Sequence, residues 1–529
     1  MEMPPQSRLC KSLSVVVVCV GLLVVSLLYL SSWFSATPDS QKGTPVRAQP
    51  VDRVPSAVAA EVKLGVLPTL GRPSGLEKES DEAYVALQYG GFFLALRVLG
   101  QSLKESGTVR DMVALCMPDV PEYQRDILRK DGWIVRSLNA LPKSCVGDHI
   151  YSRHFTKVQA WLLTEYRRVV LIDSDAIVLR NIDELFSCGE FCAAYRHSDL
   201  FNTGVVVLKP SEQTFRNICS KIQSIRSFTN GDQGFLNYFY EDLKKASMFS
   251  HSDSLVVNGN QQFQRLPSEY NGDVSVFYLT NKWMYLDAEE PYVLHYTLGP
   301  VKPWKWWSYP LFTLNWRWKS LRDRLDPKLN EPSLWDCKSW LPLALLLAIW
   351  LSSKIWLKYY TNFVAKNSVV RSLSSIFNPV GHYTLKIVPT LFMLLALYWA
   401  FPYVPEAMNP IEAWTRYGLW TLLFFSTPFS LYCHLAYVVG TQSAGIDGPP
   451  KNTPVVRSWR IASEALLWLV TSGTMFYLQF WIPVAQSTMK RRVFAFFGLG
   501  FLNLVLCYWC GRRVARLCHN FGLSHSGSL

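Results

Sequence analysis

Asp173-Ser174-Asp175 is the element of this sequence with the clearest capacity for chemistry. It follows the apolar run Val169–Ile172 and precedes Ala176-Ile177-Val178-Leu179, so two carboxylates emerge at the end of a segment that reads as a buried strand. In extended chain, residues i and i+2 point the same way, which lets Asp173 and Asp175 converge on one hard cation such as Mn or Mg. A cation held there would neutralise charge gathering on a departing diphosphate. Phe201-Asn202-Thr203-Gly204-Val205 joins a polar turn to a second buried strand. Gly231-Asp232-Gln233-Gly234 sets an acid and an amide between glycines, where backbone can approach a sugar closely. His295, with Gly299 and Lys302 following, offers an imidazole for the cation and a point charge for phosphate. Each piece has an ordinary alternative: Asp-x-Asp is frequent in surface turns, a lone His295 reads as a core histidine, and Asn202 as a turn former.

These groups need a sheet to hold them. Short β-rich runs at Ala83–Leu87, Met112–Cys116, Val169–Ile172 and Gly204–Leu208 alternate with longer helix-like segments. That alternation predicts an α/β fold, a sheet covered by helices, across residues 81–310. Open α/β sheets bind ligands beyond the carboxyl ends of their strands, which is where Asp173 and Asp175 fall.

The ordered set Ala86-Leu87, Phe155-Thr156-Lys157, Asp173-Ser174-Asp175, Phe201-Asn202-Thr203-Gly204-Val205, Gly231-Asp232-Gln233-Gly234 and His295-Tyr296-x-x-Gly299-x-x-Lys302-Pro303-Trp304 resembles glycosyltransferase family 8, the glycogenin-like enzymes. The resemblance implies a GT-A-type nucleotide-sugar-binding domain, Mn2+ (or Mg2+) as cofactor, a UDP-sugar donor and retention of anomeric configuration. By matched position it implies that Asp173, Asp175 and His295 bind the metal. Lys157 and Lys302 would meet phosphates or donor sugar, Asp232 and Gln233 would lie against the transferred sugar, and Asn202, Gly204 and Gly299 would shape the pocket. After the first strand the chain departs from the family's pattern: Leu87-Gln88-Tyr89-Gly90-Gly91 is about one residue short. Tyr89 is the candidate to stack on uracil.

The rest of the chain speaks of membrane. Hydrophobic residues make up 49% and charged residues 18% of 529, against roughly 25% charged in soluble domains. The net charge of +13 sits beside apolar runs instead of forming a stripe, which points to lipid headgroups and away from nucleic acid. Residues 1–35 read as an uncleaved signal anchor and 36–80 as a flexible Pro/Ser/Gly-rich stem. Residues 311–338 read as a Trp-rich interfacial linker, 339–511 as about five membrane helices and 512–529 as a cytosolic tail. The helical runs are roughly 340–357, 384–403, 418–440, 461–483 and 491–510. With the N-terminus cytosolic, Lys358, Lys366 and Arg371, then Lys451, Arg457 and Arg460, then Arg512, Arg513 and Arg516 fall on the cytosolic side, as the positive-inside rule asks. Lys490-Arg491-Arg492 fall on the other side. Cys116, Cys145, Cys188, Cys192, Cys219 and Cys337 are free to form disulfides in a luminal domain, in pairings the sequence leaves open, and no cysteine or histidine spacing suits zinc.

A multi-span region is foreign to soluble glycogenin. Within the family the combination resembles the membrane-bound plant branch that acts on inositol phosphorylceramide. That implies a Golgi multi-pass protein, luminal catalysis, UDP-glucuronic acid as donor and a membrane sphingolipid as acceptor in the bilayer. The donor carboxylate would need a cation, for which Arg153 and Arg196 are candidates. Two rivals stand beside this reading: a family 8 transferase using another UDP-sugar or a polysaccharide or protein acceptor, and a non-enzymatic membrane protein with a degenerate transferase domain. The intact motifs argue against the second, as does the scarcity of ionisable residues in the spans, where Glu464 and His434 stand isolated.

Overall fold

The computed structural model describes residues 79–326, with breaks within 140–151, 196–198, 223–230 and 251–261, and in the C-terminal part chiefly 388–406, 408–447 and 458–524. The expected anchor and stem, and the expected span at 340–357, lie outside the described residues except for scattered positions. The described residues divide into two compact units, one ending with the catalytic motifs and their Trp-rich sequel, the other made of the C-terminal helices.

The first unit is built on β1 (Glu82–Gln88), α1 (Phe93–Glu105), β2 (Asp111–Cys116), α2 (Glu122–Lys130), β3 (Ile134–Ser137), β4 (Arg168–Ile172), β5 (Ala176–Val178), β6 (Phe191–Tyr195), β7 (Phe201–Leu208), α3 (Glu212–Ile222), α4 (Asp232–Phe239), β8 (Phe263–Leu266), β9 (Gly272–Asp273), α5 (Val274–Thr280), β10 (Val293–His295) and α6 (Asn315–Arg322). Seven strands form one sheet in the order β3-β2-β1-β4-β7-β6-β8. Pairing is parallel from β3 to β4, antiparallel at β4–β7 and β7–β6, and parallel again at β6–β8. Strands buried on both faces should read as continuous apolar runs, and β2, β4 and β7 do: apart from the first residue of β4, every residue in them is buried. A small second sheet, β5-β10-β9, stands at the carboxyl end of β4. It pairs Ala176 with His295, and it is what brings a residue 120 positions downstream beside the aspartates.

Two sequence expectations are corrected here. Phe201-Asn202-Thr203 is strand, not turn. Pairing with β6 jumps from Ala193–Val206 to Ala194–Asn202, so Thr203, Gly204 and Val205 have no partner on β6, while Val205 stays paired with Ile172 of β4. The Trp-rich stretch is in large part core in its described residues, with Trp307 and Trp316 half-buried. Trp304, Trp306, Tyr309 and Trp318 are all buried, and Trp318 is fully so. Trp304 and Trp318 lie 6.2 Å apart, centroid to centroid, and Trp304 meets Phe92 edge-on. Indole area buried against a helix is worth more than the same area at a headgroup surface. The first unit therefore continues at least to residue 326.

Two disulfides, Cys145–Cys219 and Cys188–Cys192, resolve the pairing that spacing left open; Cys116 is free and buried, and Cys337 lies outside the described residues.

The second unit contains α7 (Pro410–Asp447), α8 (Ser458–Val484) and α9 (Met489–Ser524), each with a stretch long and apolar enough to cross a bilayer, and a shorter apolar helix at Val388–Tyr403. The expected spans at 418–440, 461–483 and 491–510 lie within the three long helices. The expected cytosolic tail from 512 is helical to Ser524, since no proline interrupts it. Two glycines let α7 and α9 touch: a Cβ at Gly440 would lie 2.2 Å from the His519 carbonyl oxygen, and one at Gly522 would lie 2.2 Å from that of Tyr437. Arg492, on the wrong side by the charge rule, donates to the carbonyls of Gln486 and Ser487, so it closes the α8–α9 turn.

Candidate metal and donor site

Asp173 and Asp175 leave β4 where the main chain turns into β5. The turn is pinned by Asp173 N–H donating to Gly204 O at 2.8 Å and Tyr296 N–H donating to Asp175 O at 2.9 Å. Ser174 between them points away and donates its hydroxyl to the Leu87 carbonyl, fixing the end of β1. Leu87 thus contributes backbone. Both carboxylates face one side and the serine the other, as expected, but the cause is a turn, closed by Ala176 N–H donating to Asp173 O at 3.0 Å, and not extended chain.

His295 arrives on β10. Its Nε2 lies 3.3 Å from Asp175 Oδ1 and 3.9 Å from Asp173 Oδ2. One donor atom from each of Asp173, Asp175 and His295 falls within 4.8 Å of the others, and this is the one such three-ligand group among the described residues. Two carboxylate oxygens and an imidazole, with no thiolate nearby, suit Mn2+ well, because carboxylate favours Mg or Mn and imidazole favours the transition metal.

The orientation of His295 has a cause that spacing did not reveal. Its Nδ1 lies 2.8 Å from Asn271 Oδ1, Asn271 Nδ2 donates to Asn202 Oδ1 at 2.9 Å, and Gly204 N–H donates to that same oxygen at 2.9 Å. Asn202 Nδ2 in turn donates to Gln233 Oε1 at 2.9 Å. Because Asn202 Oδ1 already accepts, Asn271 must face it with its amine and turn its carbonyl to the ring. That places an imidazole proton on Nδ1 and leaves Nε2, toward the carboxylates, as the nitrogen that can serve a cation. Gly204 is required sterically: a Cβ there would sit 2.1 Å from His295 Cε1 and 2.4 Å from Nδ1. Asn271 is the functional residue missed by sequence. Asn-Gly is a common turn dipeptide, and nothing in its position ties it to a histidine 24 residues later.

Two lysines border the carboxylates. Lys157, buried on the 3-10 segment Ser152–Leu162, lies 2.7 Å from Asp173 Oδ1 and 3.7 Å from Asp232 Oδ2, and also donates to the Thr203 carbonyl. Burial alone would lower its pKa, but Asp173 and Asp232 more than reverse this, so it stays charged. Lys302 Nζ lies 2.6 Å from Asp175 Oδ2 and 2.7 Å from the Tyr296 carbonyl. Burial pushes the Asp175 carboxyl up, while His295 and Lys302 together hold it below the usual carboxylate range.

The remaining expected residues are placed as follows. Asp232 and Gln233 open α4, with Gly231 extended before it, so Gly-Asp-Gln-Gly is a first helical turn and not a flexible loop. Asp232 Oδ2 accepts from Thr203 Oγ1 at 3.0 Å. Tyr89 lies at the rim, 45% exposed and 4.8 Å from Phe92 by ring centroids. Its hydroxyl is pushed up to about 12 by burial and by the charges of Asp173 and Asp175. Gly299 has open space where a side chain would stand, so no close approach demands glycine there. The side chains of Arg153 and Arg196 lie outside the described residues.

Comparison with known proteins places the chain among glycosyltransferases of one family. The profile of glycosyl transferase family 8 matches residues 192–308. Inositol phosphorylceramide glucuronosyltransferase 1 of Arabidopsis thaliana is 40% identical over 260 residues, 48% of this chain and 48% of that protein, so the match spans about half of the plant enzyme. Glycogenin-1 of Mus musculus is 30% identical over 277 residues, covering 49% of this chain and 75% of glycogenin. Among solved structures, the bifunctional glycosyltransferase WbbM matches with 16% identity and a TM-score of 0.37, over 48% of this chain and 51% of that one.

Proposed function

This chain belongs to glycosyl transferase family 8 and is a UDP-sugar glycosyltransferase, and from that premise we propose that it moves glucuronic acid from UDP-glucuronic acid to the inositol headgroup of inositol phosphorylceramide. The observation that carries the donor half is the convergence of Asp173, Asp175 and His295 within 4.8 Å, between two lysines. The acceptor half is supported by the likeness to the plant glucuronosyltransferase and by helices long and apolar enough to cross a membrane.

Asp173, Asp175 and His295 Nε2 would hold Mn2+. When bound, that ion supplies positive charge to the departing diphosphate. The protein's own part is positional. Asn271 keeps a proton on His295 Nδ1, so Nε2 is the nitrogen left to ligate. Lys302 is placed to screen the leaving phosphates, and Lys157 holds Asp173 and Asp232 apart as charged neighbours. Asp232 and Gln233, fixed by Thr203 and Asn202, are the groups positioned to meet the transferred sugar, and Tyr89 to meet the base. Retention fits attack by the acceptor hydroxyl from the face the diphosphate leaves. We place the enzyme in the Golgi membrane with several spans and a luminal catalytic unit; the two disulfides favour an oxidising compartment.

The test is to incubate membranes carrying the protein with labelled UDP-glucuronic acid and, separately, other UDP-sugars, then extract the lipids. Label from glucuronic acid in an anionic inositol sphingolipid is expected. Label confined to polymer or protein, or preference for another sugar, would reject the assignment.

A further inference from the structure

With Trp304, Trp306 and Trp318 buried and Trp307 and Trp316 half-buried, the Trp-rich stretch offers little indole to a lipid acceptor, and the surface of this unit carries another candidate element. Leu279 is 84% exposed, Tyr285 63% and Met284 45%; Lys282 is exposed beside them and Trp283 partly so. The other large apolar side chains exposed on the described surface of this unit, such as Val109, Tyr123 and Tyr238, stand singly along the chain. Isolated exposed hydrophobics are ordinary, whereas a cluster of them marks a contact surface.

The cluster is built. α5 is N-capped by Asp273, whose carboxylate accepts from Ser275 N–H at 2.9 Å, and ends on Asn281 in the left-handed region at φ 58°. The Lys282 N–H and carbonyl both bond the Thr280 hydroxyl, and Trp283 packs on Phe277 with centroids 4.7 Å apart. Tyr285 also adopts a left-handed backbone, φ 72°, which costs a tyrosine free energy and turns its ring outward. Beyond it the chain is caught by buried Glu269, which accepts from the N–H groups of Asp287 and Ala288. Both ends of the loop are therefore tied, and its apolar side chains are held out into solvent.

The loop also adjoins the site. Trp283, Met284, Tyr285 and Leu286 form one wall of a narrow cleft whose other wall includes Asn271 and Asp273. Asn271 is the residue that holds the His295 ring, and Thr297, two residues after His295, bonds Asp273.

We propose that residues 279–286 are a membrane-docking loop that inserts Leu279, Met284 and Tyr285 into the surface of the bilayer carrying the lipid acceptor. This rests on the lipid-acceptor reading. A bilayer is the occupant the observations favour, since the same chain carries helices apolar enough to cross one, which keeps lipid at high local concentration throughout. Docking here keeps the acceptor headgroup beside the metal ligands without drawing the lipid out of the membrane.

The experiment uses the full chain in nanodiscs containing inositol phosphorylceramide, comparing wild type with Leu279→Gln/Met284→Gln/Tyr285→Asn. Asparagine is chosen because it accepts the left-handed backbone. Transfer to lipid and hydrolysis of UDP-glucuronic acid by water are measured together. Lipid transfer should fall about tenfold or more, with hydrolysis unchanged. Unchanged lipid transfer overturns the proposal, and so does an equal loss of both reactions in the single variant Leu279→Gln, whose side chain has no packing role to lose. A photoreactive benzophenone at position 279 gives a readout independent of catalysis. It should capture acyl chains in plain phosphatidylcholine nanodiscs, and capture of none would also overturn the loop's role. Failure of the wild type to label lipid would instead strike the functional assignment while leaving the photocapture result to decide on docking.

Discussion

Replacing Gly204 by alanine adds one methyl group, yet the structure predicts a large effect on metal binding. The new Cβ would stand 2.1 Å from His295 Cε1 and 2.4 Å from Nδ1. Carbon atoms need about 3.5 Å, so the ring must retreat by roughly 1.4 Å or β7 must shift. β7 lies between β4 and β6 in the sheet and is buried along its whole length, so the ring is the softer partner. Its retreat breaks the 2.8 Å contact with Asn271 and moves Nε2 away from the carboxylates. Loss of such an orienting contact costs about 10–100-fold in metal affinity, and an ångström of misplacement about 100-fold in rate. The first figure places the loss in metal affinity at roughly 1.4–2.8 kcal/mol. Titration of Mn2+ by calorimetry in the presence of UDP, alongside thermal unfolding to verify that the sheet is intact, measures this directly. Wild-type Mn2+ affinity and turnover in the alanine variant would refute the steric argument.

Other perturbations separate the parts of the account. Asn271→Ala should weaken Mn2+ binding by about 10–100-fold while the unfolding transition is kept; unchanged Mn2+ affinity would mean that Asn271 does not orient the His295 ring. Trp318→Ala, at a fully buried site, should destabilise the catalytic unit by about 3–5 kcal/mol in thermal or denaturant unfolding of the solubilised protein, whereas a membrane-surface tryptophan would leave that transition in place. Asp175 is held below its ordinary carboxylate range, so its charge stabilises the fold above about pH 4 and that stabilisation is lost as pH falls through the lower folded value. The stability gap between wild type and Asp175→Asn should thus be greatest near neutrality and close in acid; a gap that widens in acid would contradict the electrostatic assignment.

Much of the site was legible because its residues lie on short buried strands. Val169–Ile172 could be read as β4, whereas the turn after it, which brings Asp173 and Asp175 to one side, has no signature in a period of two. Phe201–Leu208 was legible for the same reason, apart from its polar start, where a bulge keeps Asn202 and Thr203 in the strand against their turn propensity. β5, β9 and β10 are two or three residues long, too short for periodicity, and β9 carries Asn271 at its threshold. The contact between Asn271 and His295 depends on pairing of Leu294 with Gly272, a nonlocal fact with no local signature. The Trp-rich stretch misled for a different reason. Indole is equally suited to a headgroup layer and to a cleft beside a helix, and composition does not separate the two.

The central claim is that Asp173, Asp175 and His295 hold the divalent ion through which this transferase uses its donor. It is tested most directly by stripping the full-length protein in nanodiscs with a chelator, restoring Mn2+, and following release of UDP from UDP-glucuronic acid in wild type and Asp175→Ala at equal folded amount. The account predicts turnover in the wild type that vanishes with the chelator and returns with Mn2+, and no recovery in Asp175→Ala. Turnover that survives chelation, or full activity in the variant, would contradict it.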